Sequence, residues 1–254
     1  MSKVYVVASG KGGVGKTTTV ANLGAAMTKF KEDVVIVDTN LTTPNVGLHF
    51  GAPIVPVNLN HVLQGKADIE DAVYEHESGI KIVPSSLSLK DLKKVKLDNL
   101  YDVGKDLKKM YDHVIFDSAA GLGDEVKAAI DSADEVIIVA NPNILSVTDA
   151  LKTVKLAKDM GKPVAGAIVT RVNYDKNEMA LESVQEMLEI PILGVVPEDR
   201  NMLAALNKKD ALVNTKPRSS ASKAYMDIAA KLLGKKKRSA GFFRKFLGLL
   251  GFKE

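Results

Sequence analysis

The clearest chemistry in this chain lies in eight consecutive residues, Gly10-Lys11-Gly12-Gly13-Val14-Gly15-Lys16-Thr17. They fit the spacing G-x-x-x-x-G-K-[ST], follow an apolar run and open a helical pattern, the context in which that spacing binds phosphate. Glycines let the backbone curl so that successive N–H groups converge on phosphate oxygens, and a helix N-terminus adds a favourable dipole. Lys16 is placed to bridge the outer phosphates, and the Thr17 hydroxyl to ligate Mg²⁺. A chance match in a chain of this length has odds on the order of 1%, so a glycine-rich turn without a ligand is the weaker reading. Two carboxylates complete a nucleotide site. Asp117 ends the apolar run His113–Phe116 and is the natural acid to hold Mg²⁺, directly or through water. Asp38 ends Val34–Val37 in the same way. For each, the alternative is an aspartate that caps the next turn.

These residues sit where short β-branched runs stop. The pattern predicts strands near Lys3–Ser9, Asp33–Asp38, Ile80–Pro84, Asp112–Asp117, Asp134–Ala140, Val164–Thr170 and Ile192–Val196. Val34–Val37 and Val136–Ala140 are continuously apolar, as in strands covered on both faces. Helices are expected near Lys16–Phe30, Asp98–Met110, Ser146–Met160, Lys176–Leu188 and Ser219–Leu233, the first with Val20, Leu23, Met27 and Phe30 on one stripe. Strands alternating with helices give an α/β fold, a single doubly wound, mostly parallel sheet. Gly234 and the run Lys235–Arg238 mark the one obvious linker, dividing a domain at 1–234 from an appendage at 235–254.

Composition narrows the chemistry. Of 254 residues, 46% are hydrophobic and 26% charged, which excludes wholesale disorder. Cysteine is absent. That removes disulfide frameworks, cysteine zinc sites, iron–sulfur clusters and thiol nucleophiles, and suits a reducing cytoplasm. The longest apolar runs are about five residues against the roughly 20 needed to span a bilayer, and the N-terminus has too short an apolar stretch for a signal peptide. A cytoplasmic protein is expected. The four histidines, His49, His61, His76 and His113, show no metal-ligand spacing. The net charge of +4 is unevenly placed: residues 235–254 hold seven basic residues and one acid, leaving 28 basic against 30 acidic elsewhere. The body is slightly acidic, so nucleic acid is disfavoured as a partner.

With its second lysine early in the loop, Lys11-Gly12-Gly13-Val14-Gly15-Lys16-Thr17-Thr18 resembles the deviant Walker A motif of the MinD/ParA ATPases. Asp38-Thr39-Asn40-Leu41-Thr42-Thr43-Pro44-Asn45 is similar to that family's first switch, and Asp117-Ser118-Ala119-Ala120-Gly121 to its Walker B and second switch. Thr170-Arg171-Val172-Asn173 and Pro197-Glu198-Asp199 match its adenine-contacting loops. The resemblance covers the whole chain and implies the P-loop NTPase fold. It also implies ATP or ADP with Mg²⁺, nucleotide contacts from Gly12 through Thr18 and from Asn173, Pro197 and Asp199, and Mg²⁺ on Thr17 and Asp117. Catalytic roles fall on Lys11, Lys16, Asp38 and Asn40. It further implies a homodimer that sandwiches two ATP molecules, with Lys11 reaching the other subunit's phosphates; a cation there offsets the repulsion between facing nucleotides. Two departures stand out. The family usually has aspartate at Asn40, where it positions or deprotonates the attacking water. An amide can orient water but takes no proton at neutral pH, so slow hydrolysis is expected. Ala119 replaces a frequent proline, without a consequence that the residues reveal.

After Lys235–Arg238, Phe242, Phe243, Phe246, Leu247, Leu249 and Leu250 fill an arc of about 160° at helical spacing, with Arg244 and two glycines opposite. This pattern predicts an interfacial amphipathic helix with a basic approach to an anionic membrane; a final helix docked on the core is the alternative. Each basic residue near such a surface contributes about 1 kcal/mol, and a dimer presenting two tails binds much better than one. The expected protein is a switch ATPase, reversibly peripheral at the inner membrane face, that positions an unidentified cargo or regulator, as in placement of a cell-division site. A DNA-partitioning member of the family and a nearly inactive nucleotide-gated scaffold are the rival readings.

Overall fold

The continuously apolar runs fall where the sheet is covered on both faces. A computed structural model describes residues 2–235 of the chain. It begins with β1 (Lys3–Ser9), the phosphate loop and α1 (Lys16–Lys29), then β2 (Val34–Asp38), α2 (Val46–His49) and α3 (Leu59–Leu63). Next come β3 (Tyr74–Glu75), β4 (Lys81–Val83), α4 (Asn99–Met110), β5 (His113–Ala120), α5 (Asp124–Asp131), β6 (Glu135–Ala140) and α6 (Ile144–Asp159). The rest is β7 (Val164–Val172), α7 (Leu181–Leu188), β8 (Ile192–Pro197), α8 (Asn201–Asn207), α9 (Leu212–Thr215) and α10 (Ser220–Leu232). The eight strands form one sheet in the order β3-β4-β2-β5-β1-β6-β7-β8. Only β3 runs antiparallel, against β4. The chain moves from one side of β1 to the other between β5 and β6, and the crevice at that switch point is where doubly wound sheets bind ligands.

Alternate residues of each strand feed two cores. One packs Val4, Val6, Val35, Val37, Val114, Phe116 and Ile138 against α3, α4, α5, α6 and α7. The other packs Tyr5, Val7, Ile36, Ile115, Ile137 and Ile168 against α1, α9 and α10. Within α1, Val20, Leu23 and Met27 are fully buried, and a Cβ on Gly24 would sit 2.8 Å from Ile36 Cδ1. That glycine therefore lets the helix lie directly on β2. At the opposite end of the sheet from the loop, Lys235 donates to the Phe30 carbonyl at 3.1 Å and pairs with Glu32. The hydrophobic tail residues Phe242, Phe243, Phe246, Leu247, Leu249 and Leu250 lie outside the described residues.

Three boundaries depart from the sequence pattern. β5 does not stop at Asp117 but continues to Ala120, because β1 keeps pairing with it across an irregularity that sets Ser9 opposite Ala120. The helix expected from Lys176 begins only at Leu181, since the Glu178 carboxylate binds the N–H groups of Asn173 and Tyr174, each at 2.9 Å. The Met179 N–H goes instead to Pro142 O, and these bonds hold the preceding segment in a turn. α6 starts two residues early, at Ile144, because Asn143 caps it by accepting from the Ser146 N–H at 2.9 Å. Strand β3 and the short helices α2, α3, α5, α8 and α9 have too little periodic sequence to be read.

Candidate nucleotide site

The loop after β1 meets two conditions for holding phosphate. Gly13 and Gly15 take φ of 78° and 98°, values that a side chain disfavours, so the chain curls back on itself. Gly15 is also the N-cap of α1, and it supplies no side chain to satisfy the first N–H groups of the helix. Those donors and the positive end of the helix dipole face the loop. Lys16 is 9% exposed, and its ammonium makes one hydrogen bond among the described residues, 3.0 Å to Ser9 Oγ. Burial lowers its pKa, with Asp117 pulling the other way. Ser9 Oγ in turn donates to the Lys11 carbonyl at 2.8 Å, so a single buried hydroxyl steadies both the lysine and the start of the loop.

Asp117 and Asp38 are register neighbours on β5 and β2, and both are fully buried. Thr17 Oγ1 donates to Asp117 Oδ2 at 2.6 Å, which joins the two residues expected to hold metal. Asp117 Oδ1 is buried without a hydrogen-bond partner. A buried carboxylate oxygen left in this state asks for a ligand, and a hydroxyl beside a carboxylate is the hard oxygen set that Mg²⁺ prefers. Burial pushes the Asp117 carboxyl up to about 6, against the opposing effects of the Thr17 hydroxyl and Lys16. The residues present therefore fit the cation.

Asp38 is engaged differently. Its Oδ1 accepts from the Asn40 N–H at 3.2 Å, and its Oδ2 from the Asn45 and Val46 N–H groups, each at 2.8 Å. Burial and then the charge of Asp117 raise its pKa well above the usual carboxylate range, and the three amides oppose them. Asp38 is thus the hub on which residues 39–46 are wound. Asn40 is also committed to that loop. Its Nδ2 donates to Thr43 O at 2.6 Å, and its Oδ1 accepts from the Thr43 N–H and hydroxyl at 3.2 and 3.1 Å. The loop is tied to the far side of the site through Glu125 on α5, whose Oε2 accepts from the Leu41 N–H at 3.1 Å while Oε1 takes the Thr42 hydroxyl.

A cleft of about 480 Å³ opens beside the loop, with Gly15 and Thr18 at one end and Arg171, Pro197, Glu198 and Asp199 at the other. Pro197 and Asp199 thus share one cavity with the phosphate loop. Asn173 lines the neighbouring depression with Tyr174, and its Nδ2 bonds Arg171 O and Glu178. The two ends of the cleft are tied together. Thr170 Oγ1 donates to the Val14 carbonyl at 2.7 Å, and Asn141 Nδ2 reaches Thr170 Oγ1 at 3.0 Å. Pattern reading missed Asn141 and Glu125 because their partners are distant in sequence, and Ser9 because a serine ending an apolar strand carries no signal of the two loop contacts its hydroxyl makes. The only local signal was the acidic first turn of α5, Asp124-Glu125, which suits a helix N-terminus.

A model of the CobQ/CobB/MinD/ParA nucleotide binding domain matches residues 5–213. An uncharacterized ATP-binding protein of Methanocaldococcus jannaschii is 41% identical, over 99% of this chain and 98% of that one. The septum site-determining protein MinD of Neisseria meningitidis is 32% identical over 98% of this chain and all of its own length. The solved septum site-determining protein MinD of Pyrococcus horikoshii, complexed with Mg-ADP, superposes with a TM-score of 0.87 at 33% identity. That match covers 91% of this chain and 96% of the other. With a glycine-curled loop, a buried lysine and two register-paired aspartates already in place, the chain belongs to the CobQ/CobB/MinD/ParA nucleotide-binding family, and within it to the MinD-like ATPases.

Proposed function

We propose that this protein is a switch that binds ATP and Mg²⁺, dimerises around the nucleotide, and hydrolyses it slowly. In this reading residues 1–234 are the ATPase and residues 235–254 attach the ATP-bound dimer to the anionic inner face of the cell membrane. There it positions another protein, as in placement of a division site. The observation that carries the nucleotide reading is the unpartnered Asp117 Oδ1 beside the Thr17 hydroxyl, next to a buried lysine and an uncapped helix start. Mg-ADP in the Pyrococcus relative supports the same ligands here. Mg²⁺ on Thr17 and Asp117 would neutralise charge on the outer phosphates. Lys16 holds those phosphates, the amides of Gly12 through Thr18 orient them, Lys11 serves the partner's nucleotide, and the loops at Asn173, Pro197 and Asp199 take the base.

Slow turnover follows from residues 38–45. Both oxygens of Asp38 already accept backbone N–H groups, so it is poorly placed as a base, and Asn40 can orient water without taking its proton. Asn40→Asp replaces the donor to Thr43 O with a second acceptor, which loosens the turn and adds a base. Turnover measured by phosphate release is expected to rise; an unchanged rate would return the role to Asp38.

The membrane reading rests on the sequence of the tail, with its basic lead-in and apolar arc. No helix among the described residues is long and apolar enough to cross a bilayer. Co-sedimentation with anionic liposomes tests it, comparing the full chain with one ending at Gly234, in ATP and in ADP. Binding that needs both ATP and the tail is the expected result. Equal binding in ATP and ADP would make the tail a constitutive anchor. No binding would sink the membrane switch, and salt-dependent DNA binding would be assayed next.

A further inference from the structure

The segment after β4 holds apolar side chains open to solvent on a fixed frame. Ile54, Leu89 and Leu87 are 89%, 73% and 47% exposed. Ile54 and Leu87 line one depression of about 430 Å³ together with Pro53 and Val55. The backbone that carries the two leucines is tied down. Gln64 Nε2 donates to the Asp91 and Lys93 carbonyls at 2.7 and 3.0 Å, and Ser86 Oγ donates to Asp91 Oδ2 at 2.6 Å. The Ser88 hydroxyl accepts from the Lys90 N–H at 3.3 Å and so starts a 3-10 turn, Leu89–Leu92. Clustered apolar side chains in solvent mark an interaction site, and an ordered frame lowers the entropy lost when a partner arrives.

Charge says what kind of partner. The same segment carries Lys90, Lys93, Lys94 and Lys96, all exposed and none in an ion pair among the described residues. The one acid of residues 87–97, Asp91, is already bonded to Ser86. We infer that this surface docks an acidic amphipathic segment of a partner protein, its apolar side chains on Ile54, Leu87 and Leu89 and its carboxylates on the lysines. The chain's own tail is a poor occupant. Its seven basic residues repel the lysines, and it leaves the body at Lys235, beside Phe30 and Glu32 at the amino end of β2. The depression lies at the other end of the sheet, where Ser85 Oγ donates to the Asp38 carbonyl at 2.6 Å. A second copy meeting this face with its own would set lysine against lysine. A bilayer reached by the tail lies toward the opposite end, and a flat surface does not enter a depression.

Panning the full chain against a library of short random peptides tests this, with the affinities of the selected peptides measured by fluorescence anisotropy. The expected consensus interleaves aspartate or glutamate with leucine, isoleucine or phenylalanine. Leu89→Ser changes a side chain that the core does not use, and should weaken the selected peptides about tenfold. Lys90→Glu combined with Lys93→Glu should weaken them about 30-fold, and added salt should narrow that gap. Melting temperature should stay at the wild-type value in both variants, which separates a lost surface from a lost fold. An unenriched library, or selected peptides without acids, would overturn the assignment. An acidic consensus whose binding survives both variants would have been chosen by the basic tail, and would overturn it as well. So would full-chain binding to phosphatidylglycerol vesicles that fails in Leu89→Ser with the tail intact, since that result gives the surface to the membrane.

Discussion

Replacing Asp117 with asparagine is expected to stabilise the nucleotide-free protein at neutral pH and to destroy its Mg²⁺-dependent hold on ATP. The carboxyl is fully buried, one oxygen has no partner, and burial raises it to about 6. An unfolded aspartate titrates near 3.9, so between about pH 4 and about pH 6 the folded chain keeps a proton that the unfolded chain has released. Stability therefore falls as the pH rises through that window and stays low above it, by on the order of 2 kcal/mol. An amide resembles the protonated acid and can still accept the Thr17 hydroxyl. Asp117→Asn should thus raise the melting temperature at pH 7.5 by roughly 5 °C, and the gain should vanish near pH 4.5. The same change removes the anionic metal ligand, so ATP affinity in Mg²⁺ should drop roughly 100-fold. A variant less stable than wild type at pH 7.5 would mean that the charge is already satisfied in the free protein.

The second large effect separates the two lysines of the loop. Lys16 is buried at the foot of α1, with most of its donors unused by the protein, whereas Lys11 is half-buried and its ammonium bonds no described residue. Lys16→Ala removes charge-assisted bonds to the phosphates of its own subunit's nucleotide, about 3 kcal/mol, and should weaken ATP binding more than 100-fold. Lys11→Ala should leave monomer affinity within a few-fold of wild type and abolish ATP-dependent dimerisation. Titration calorimetry reads the first quantity and sedimentation velocity the second. Equal losses of affinity in the two variants would place both lysines on the same nucleotide and remove the trans role proposed for Lys11. Because Lys16 also offsets the charge of Asp117, its loss should push that carboxyl further up and lower stability at neutral pH.

The two variants probe a site whose parts differ in origin. Glu125 and Thr170 set where the nucleotide-contacting candidates stand. Glu125 pins the loop that contains Asn40 to the start of α5, and Thr170 ties the base-side strand β7 to the Val14 carbonyl.

The phosphate loop, the parallel sheet and the two aspartates that follow apolar runs are legible in the sequence. Each is encoded locally: the loop by glycines at fixed spacing, the sheet by continuous apolar runs, and the aspartates by their place after Val34–Val37 and His113–Phe116. The apolar stripe of α1 was legible for the same reason, since Val20, Leu23 and Met27 repeat at the helical period. Tertiary packing alone spends Asp38 on three backbone amides and leaves Asp117 one oxygen without a partner, although both follow similar apolar runs. That difference comes from what lies across the sheet edge. Residues 40–46 fold back over Asp38, whereas Asp117 faces the phosphate loop and Thr17, 100 residues away in sequence. Periodicity reports which face of an element is buried; which polar groups meet across elements depends on strand order and register, and those exist only once the sheet has formed.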